Sequence, residues 1–155
     1  MSVVNLMIKA FPNIVPEYYA RHLIDRYIYW NRKNSGIKYY FSRKLLLIFN
    51  ISIGKNAQIG NGVSFPHPQN IIIGDNVVIE DNCVIYHNTT FGIDAIGKGQ
   101  YPRIEKNCVI YCGAMILGDV VVGHDSIIAA GAVVTKSVDC NTLAGGVPAR
   151  TIKKL

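Results

Sequence analysis

Two of the four histidines in this 155-residue chain occupy equivalent places. His67 stands two residues after Phe65, His87 two after Ile85, and Cys112 continues the relation two after Ile110. Imidazole titrates near pH 6.5, so a histidine held at a turn can take and return a proton at neutral pH. In Phe65-Pro66-His67-Pro68 the flanking prolines make a rigid corner that presents His67. A second imidazole nearby disfavours a second positive charge and helps to keep the first neutral. Proton transfer near neutral pH is the chemistry such a pair suits. The plainer reading is a pair of corner side chains bonded to backbone. Imidazole contributes little to packing that Leu or Val would not, so packing alone gives weak grounds for two of them at one corner. His22 and His124 lie outside this relation and read as incidental.

The relation between these positions comes from the ladder that carries them. From Ile53 to Val134 a large aliphatic or aromatic residue returns every sixth position: Ile53, Ile59, Phe65, then Ile73, Ile79, Ile85, Phe91, then Ile104, Ile110, Ile116, Val122, Ile128, Val134. Six fits neither the 3.6 period of a helix nor the period of two of a strand, so the repeat is the structural unit and predicts a parallel β-helix. Two positions before most rungs sits a small or β-branched residue, as at Ala57, Val77, Cys83, Thr89, Cys108, Ala114, Val120, Ser126 and Ala132. Such alternation lets large and small side chains fill one narrow interior. Gly54, Gly60, Gly74, Gly92 and Gly123 directly follow rungs, and the expectation is that tight corners there require their free backbone angles. With three rungs per coil, Phe65 and Ile85 share a face. His67 and His87 should then stack at one corner about 5 Å apart, with Cys112 next along the column.

The ladder is interrupted twice. The first interruption contains Pro66-His67-Pro68; the second, at 92–103, is Gly-rich and polar and predicts a protruding loop that carries Tyr101. Past Val134 the repeat stops, and 138–155 reads as a Gly-Pro turn and a basic tail. The expected organisation is therefore an N-terminal helical segment at 1–49, the β-helix at 50–137 and the tail at 138–155.

Half of the residues are hydrophobic, enough for one sizeable core, and the net charge is +6. That charge belongs to the N-terminal segment, where eight basic residues face Glu17 and Asp25, while residues 50–155 carry eight of each sign. From Pro16 the apolar positions Tyr19, Leu23, Tyr27 and Trp30 recur at helical spacing up to Asn34-Ser35-Gly36, and a second helix is expected over about 37–49. These basic, Tyr-rich helices suit capping of the solenoid and subunit contacts, or peripheral contact with an anionic membrane. No nucleic-acid recognition motif accompanies them. No apolar run approaches the roughly 20 residues of a spanning helix and no signal-peptide pattern is present, so a cytoplasmic location is expected. Without a C-x-x-C pair no zinc ribbon is on offer, and Cys83 and Cys108 read as compact apolar fillers rather than a disulfide.

The ladder, Phe65-Pro66-His67-Pro68, Ile71-Ile72-Ile73-Gly74 and Ala144-Gly145-Gly146-Val147-Pro148-Ala149-Arg150 together resemble the hexapeptide-repeat acyltransferases, especially the serine acetyltransferase branch and the short sugar acetyltransferases. The resemblance covers roughly residues 50–155 and implies a left-handed solenoid, a homotrimer with sites between subunits, and acetyl-CoA as cosubstrate without a metal. It places His67 where the family has the base that deprotonates the acceptor hydroxyl, with His87 beside it. It assigns Coenzyme A to Cys112, Gly113, Ala130, Thr135, Lys136, Arg150 and Lys153: small residues beside the pantetheine arm and cations for the phosphates. The family's acidic residue before the histidine is Pro66 here, that fifteen positions upstream is Ser52, and the loop's Arg-His-Pro is Gln100-Tyr101-Pro102. These departures favour a sugar or polysaccharide hydroxyl as acceptor, with Tyr101 stacking on the sugar. Serine O-acetylation is the alternative, and a catalytically silent trimeric scaffold is a third reading. A gamma-type carbonic anhydrase is disfavoured because no His-x-x-x-x-His occurs and His124 falls on another face.

Overall fold

The computed structural model describes residues 24–26, 28–29, 49–54, 56–94 and 99–155. Its strands are mostly two residues long, an outward residue followed by a buried rung, and they stack into three parallel sheets. The first sheet contains β1 (Ser52–Ile53), β3 (Ile72–Ile73), β6 (Thr90–Gly92), β9 (Met115–Leu117) and β12 (Val133–Val134), in that order. The second runs β10 (Val121–Val122), β7 (Arg103–Ile104), β4 (Val78–Ile79) and β2 (Gln58–Ile59). In the third, β5 (Val84–Ile85), β8 (Val109–Ile110), β11 (Ile127–Ile128) and β13 (Thr142–Gly145) are parallel, and β14 (Arg150–Lys154) closes the edge antiparallel to β13.

Rung pairs with rung throughout. Ile53 registers with Ile73, Ile73 with Phe91, Phe91 with Ile116, and Ile116 with Val134, while Ile85, Ile110, Ile128 and Ala144 form the equivalent row of the third sheet. Steps of eight and thirteen residues leave this register intact because their extra residues are accommodated outside the paired positions. All thirteen rungs are buried, together with Val77, Cys83, Thr89, Cys108, Ala114, Val120, Ser126 and Ala132 from the small positions. Each fully buried Val, Ile or Phe stabilises the coil by roughly 1.5–3 kcal/mol, so the alternation of sizes accounts for the core. Cys83 and Cys108 are free thiols in that core. The neighbouring Cys83 and then burial hold the Cys108 thiol well above the usual thiol range.

The corners differ from the sequence expectation. None of Gly54, Gly60, Gly74, Gly92 and Gly123 has a positive φ; the positive-φ positions are Asn50, Asn70, Asn88, Gly113 and Gly131 before the first sheet, Gly62, Asn82, Asn107, Asp125 and Asn141 before the third, and Gly118 and Gly146 elsewhere. Asn and Asp tolerate this conformation, and here they also bond along the axis: Asn70 Nδ2 donates to Asn88 Oδ1 at 2.9 Å and Asn107 Nδ2 to Asp125 Oδ1 at 2.9 Å. The post-rung glycines serve close approach instead. A Cβ on Gly60 would lie 2.6 Å from the Asp81 backbone nitrogen, and one on Gly123 would lie 2.5 Å from the Cys140 nitrogen. Only Gly92 has room, with Leu117 Cδ2 at 3.9 Å as the nearest atom.

Strand pairing also runs past the end of the six-residue ladder. Val138 bridges to Val122, and the segment expected as a tail forms the β13–β14 hairpin on the third sheet. At the other end residues 24–26 and 28–29 are helical, as expected, with Ile24 buried in the core. The rest of the two expected helices, and with it their capping or membrane role, lies outside the described residues, as do positions 95–98 of the loop. Among the described residues no helix is long and apolar enough to cross a membrane.

Candidate active site

The corner between the third and first sheets brings His87, Cys112 and Ala130 into one column, each two residues past a rung of the third sheet; Asn88 N–H bonds the Gln69 carbonyl at 3.0 Å below His87, His67 stands beside that lower end, and Gly146 lies at the upper end. Main-chain bonds tie the column together: Gly113 N–H donates to the His87 carbonyl at 3.1 Å and Gly131 N–H to that of Cys112 at 2.9 Å. At the spacing of neighbouring strands, the column from His67 to Gly146 is about 19 Å long. His67 is exposed at its lower end, and its ring centroid lies 5.9 Å from that of His87 in an edge-on arrangement at 78°. His67 and His87 are therefore neighbours and Cys112 follows His87 along the corner, with Gly113 and Ala130 adjoining it, although Gln69 rather than His67 takes the place in step below His87.

His87 is half-buried, and its Nδ1 is enclosed without a hydrogen-bond partner among the described residues. A nitrogen placed so cannot carry a proton cheaply, since a buried N–H without an acceptor costs about 1–3 kcal/mol. Of the two neutral tautomers, the one with its proton on Nε2 is therefore favoured. Tyr86, one residue past its rung, packs with its ring centroid 6.2 Å from His67 and stacks on Tyr111 at 5.2 Å and 12°. Neither tyrosine was singled out by sequence reasoning; the available signal was that both immediately follow rungs of one sheet.

The upper end of the column meets the C-terminal turn. Ala149 N–H donates to the Val133 carbonyl at 2.8 Å and Val133 N–H to that of Gly146 at 3.0 Å, which folds 146–149 over β12. This brings Arg150 to the same cavity as Lys136, a recess of about 260 Å³ that is also lined by Ser137, Val138, Ala144, Ala149 and Thr151. Thr135 is exposed just past β12. Lys153 stands apart, in register with Leu143 along β14 and outside that recess. A larger recess of about 580 Å³ lies over the second sheet, where Arg103 pairs with Glu80, and it contains none of the expected site residues.

Tyr101 does not take the expected position. Its half-buried ring packs on the core and covers Gly74, at the corner between the first and second sheets, because a residue without a side chain leaves room for it there. His124 sits at yet another corner, with Nδ1 2.8 Å from Asp125 Oδ2 and its main-chain N–H donating to Glu105 Oε2 at 2.8 Å. First His124 and then Asn107 hold the Asp125 carboxyl below the usual carboxylate range. Among the described residues no group of three potential ligands could hold a metal ion.

Residues 101–136 match the family model for the bacterial transferase hexapeptide (six repeats). The chain is 36% identical over 128 residues to a serine acetyltransferase of Buchnera aphidicola, an alignment covering 81% of this chain and 49% of that protein. The serine acetyltransferase of Brucella abortus superposes at a TM-score of 0.78 with 31% identity, covering 98% of this chain and 68% of the other. Its structure in complex with Coenzyme A matches equally well, at 30% identity, 98% and 67% coverage and a TM-score of 0.78. The chain belongs to the hexapeptide-repeat transferases, on their serine acetyltransferase-like branch. Its solenoid is the left-handed parallel β-helix of that family.

These relatives overturn the sugar acceptor expected from the sequence. A serine acetyltransferase solved in complex with cysteine aligns at 29% identity over 94% of this chain and 58% of its own, with a TM-score of 0.78. The sugar reading also relied on the ring of Tyr101, which is engaged over Gly74. The chain spans about half the length of the curated relatives it matches.

Proposed function

We propose that this chain is an acetyl-CoA-dependent serine O-acetyltransferase with His67 as general base. The similarity to serine acetyltransferases along nearly the whole chain carries the acceptor assignment. His67 supports it from the site, as an exposed imidazole at the foot of a column of small residues that leads to two cations. In the reaction, imidazole takes the proton of the serine hydroxyl as the oxygen attacks the thioester carbonyl. The tetrahedral intermediate collapses by breaking the C–S bond, and the departing thiolate recovers the proton from the imidazolium.

Cys112, Gly113 and Ala130 leave space beside the corner for a pantetheine arm of acetyl-CoA, and Lys136 and Arg150 suit its phosphates. Thr135 adjoins them; Lys153, on the far strand, would meet only a nucleotide end that extends beyond the recess. A homotrimer fits the flat sheets, whose outward residues include the exposed Ile72, Met115 and Val121. The test is thiol release from acetyl-CoA with serine as acceptor. Wild type should release Coenzyme A only when serine is present, whereas serine-independent release or none at all would reject the assignment.

A further inference from the structure

The stacked tyrosines beside the base have no part in the reaction described so far. Tyr86 and Tyr111 lie one coil apart, nearly parallel, with Tyr111 41% exposed. By register, Pro66 stands below Tyr86 and Ala129 above Tyr111, so neither neighbour along the sheet carries a third aromatic ring or a charge. The face of Tyr86 turned to the lower coil forms a wedge with the His67 ring, tilted at 42° with centroids 6.2 Å apart. Substrate bound in that wedge lies within reach of both rings.

The proposed acceptor is a cation at the relevant end. The hydroxyl oxygen and ammonium nitrogen of serine are three bonds apart, a separation that lets one meet His67 while the other lies against Tyr86. Neither the column of His67, His87, Cys112, Ala130 and Gly146 nor the adjacent one of Pro66, Tyr86, Tyr111, Ala129 and Gly145 contains a carboxylate. Of the groups in these two columns, a substrate ammonium at this corner therefore meets ring faces, whose negative quadrupole attracts a cation within about 6 Å of the centroid. Stacking on Tyr111 fixes the orientation of Tyr86 and adds electron density behind it.

We propose that Tyr86, backed by Tyr111, is the subsite for the α-ammonium of the acceptor. The assignment rests on the serine O-acetyltransferase reading. Steady-state kinetics of Tyr86→Phe, Tyr86→Leu and Tyr111→Ala test it, with serine and with 3-hydroxypropanoate, which lacks the ammonium. Tyr86→Phe should keep the KM for serine within about twofold. Tyr86→Leu should raise it about tenfold, and Tyr111→Ala somewhat less, with the KM for acetyl-CoA unchanged. Wild type should prefer serine to 3-hydroxypropanoate, and Tyr86→Leu should lose most of that preference. An unchanged KM and preference in Tyr86→Leu, while wild type turns serine over, overturns the subsite alone. Failure of wild type to acetylate serine, although acetyl-CoA binds by calorimetry, overturns both assignments. Loss of the oligomer in either variant by light scattering, with the KM for serine unchanged in what remains assembled, identifies the pair as a subunit contact and overturns the subsite.

Discussion

Replacing Gly123 with alanine separates two reasons for a glycine after a rung. Gly123 has no positive φ, so alanine meets no backbone penalty there, yet its Cβ would lie 2.5 Å from the Cys140 nitrogen and 2.9 Å from both Asp139 C and Cys140 Cα. All three atoms are backbone of the next coil, so no side chain can swing aside. Relief requires the Val138–Asn141 turn to move, which breaks or stretches the 2.8 Å bond from Gly123 N–H to the Val138 carbonyl. Overpacking of this kind costs typically 1–3 kcal/mol. At 2–4 °C of melting temperature per kcal/mol for a chain of this size, Gly123→Ala should melt about 2–12 °C lower. Gly92→Ala is the control, with ordinary φ and space for the methyl group, and should lie within about 1 °C of wild type. Gly131→Ala has open space but φ +67°, and should lose about 1–2 kcal/mol for conformation alone. Thermal denaturation of the three variants at one fixed protomer concentration gives the answer. Equal losses for Gly92→Ala and Gly123→Ala would refute the close-approach argument and restore the conformational one.

The remaining predictions concern the site and one exposed charge. His67→Ala should lower kcat by about 100-fold or more while the affinity for Coenzyme A measured by calorimetry stays near wild type, and His87→Ala should cost less; the reverse order would exchange their roles. Lys136→Ala and Arg150→Ala should each raise the KM for acetyl-CoA about two- to fivefold, as expected of exposed charges, without changing the KM for serine. Asp125, whose carboxyl is held low by His124 and Asn107, contributes stability that is full above its unfolded value of about 3.9 and is lost as pH falls through the lower folded value. Asp125→Asn keeps a residue tolerant of φ 58° and should flatten the acid limb of a denaturation-against-pH curve, by lowering stability slightly near neutrality, where the carboxylate's contribution is full, and leaving it unchanged below the folded value.

Much of the fold is legible because rung count, not residue count, decides which sheet a position joins. Three rungs per coil put Phe65 under Ile85 despite the eight-residue step, and that placed His67 beside His87. The corners were misread because a glycine suggests conformational freedom, whereas here crowding between coils selects it. The left-handed positions carried their own signal, Asn, Asp or Gly three residues before the rungs of the first and third sheets. Past Val134 the ladder fails because Ala144 takes the rung position, too small to mark the period although Thr142 keeps its small-residue place. Tyr101 was assigned by loop position, and Gly74, the residue that receives its ring, lies far back in the sequence. The acceptor was inferred from missing family residues, and an absence does not specify what takes their place.

The measurement that bears most directly on the central claim is mass detection of the product from the intact chain, serine and isotope-labelled acetyl-CoA. The account predicts O-acetylserine carrying the labelled acetyl group, formed by wild type and reduced about 100-fold or more in His67→Ala. Serine recovered unmodified while the protein binds acetyl-CoA, or labelled product formed equally by His67→Ala, would contradict it.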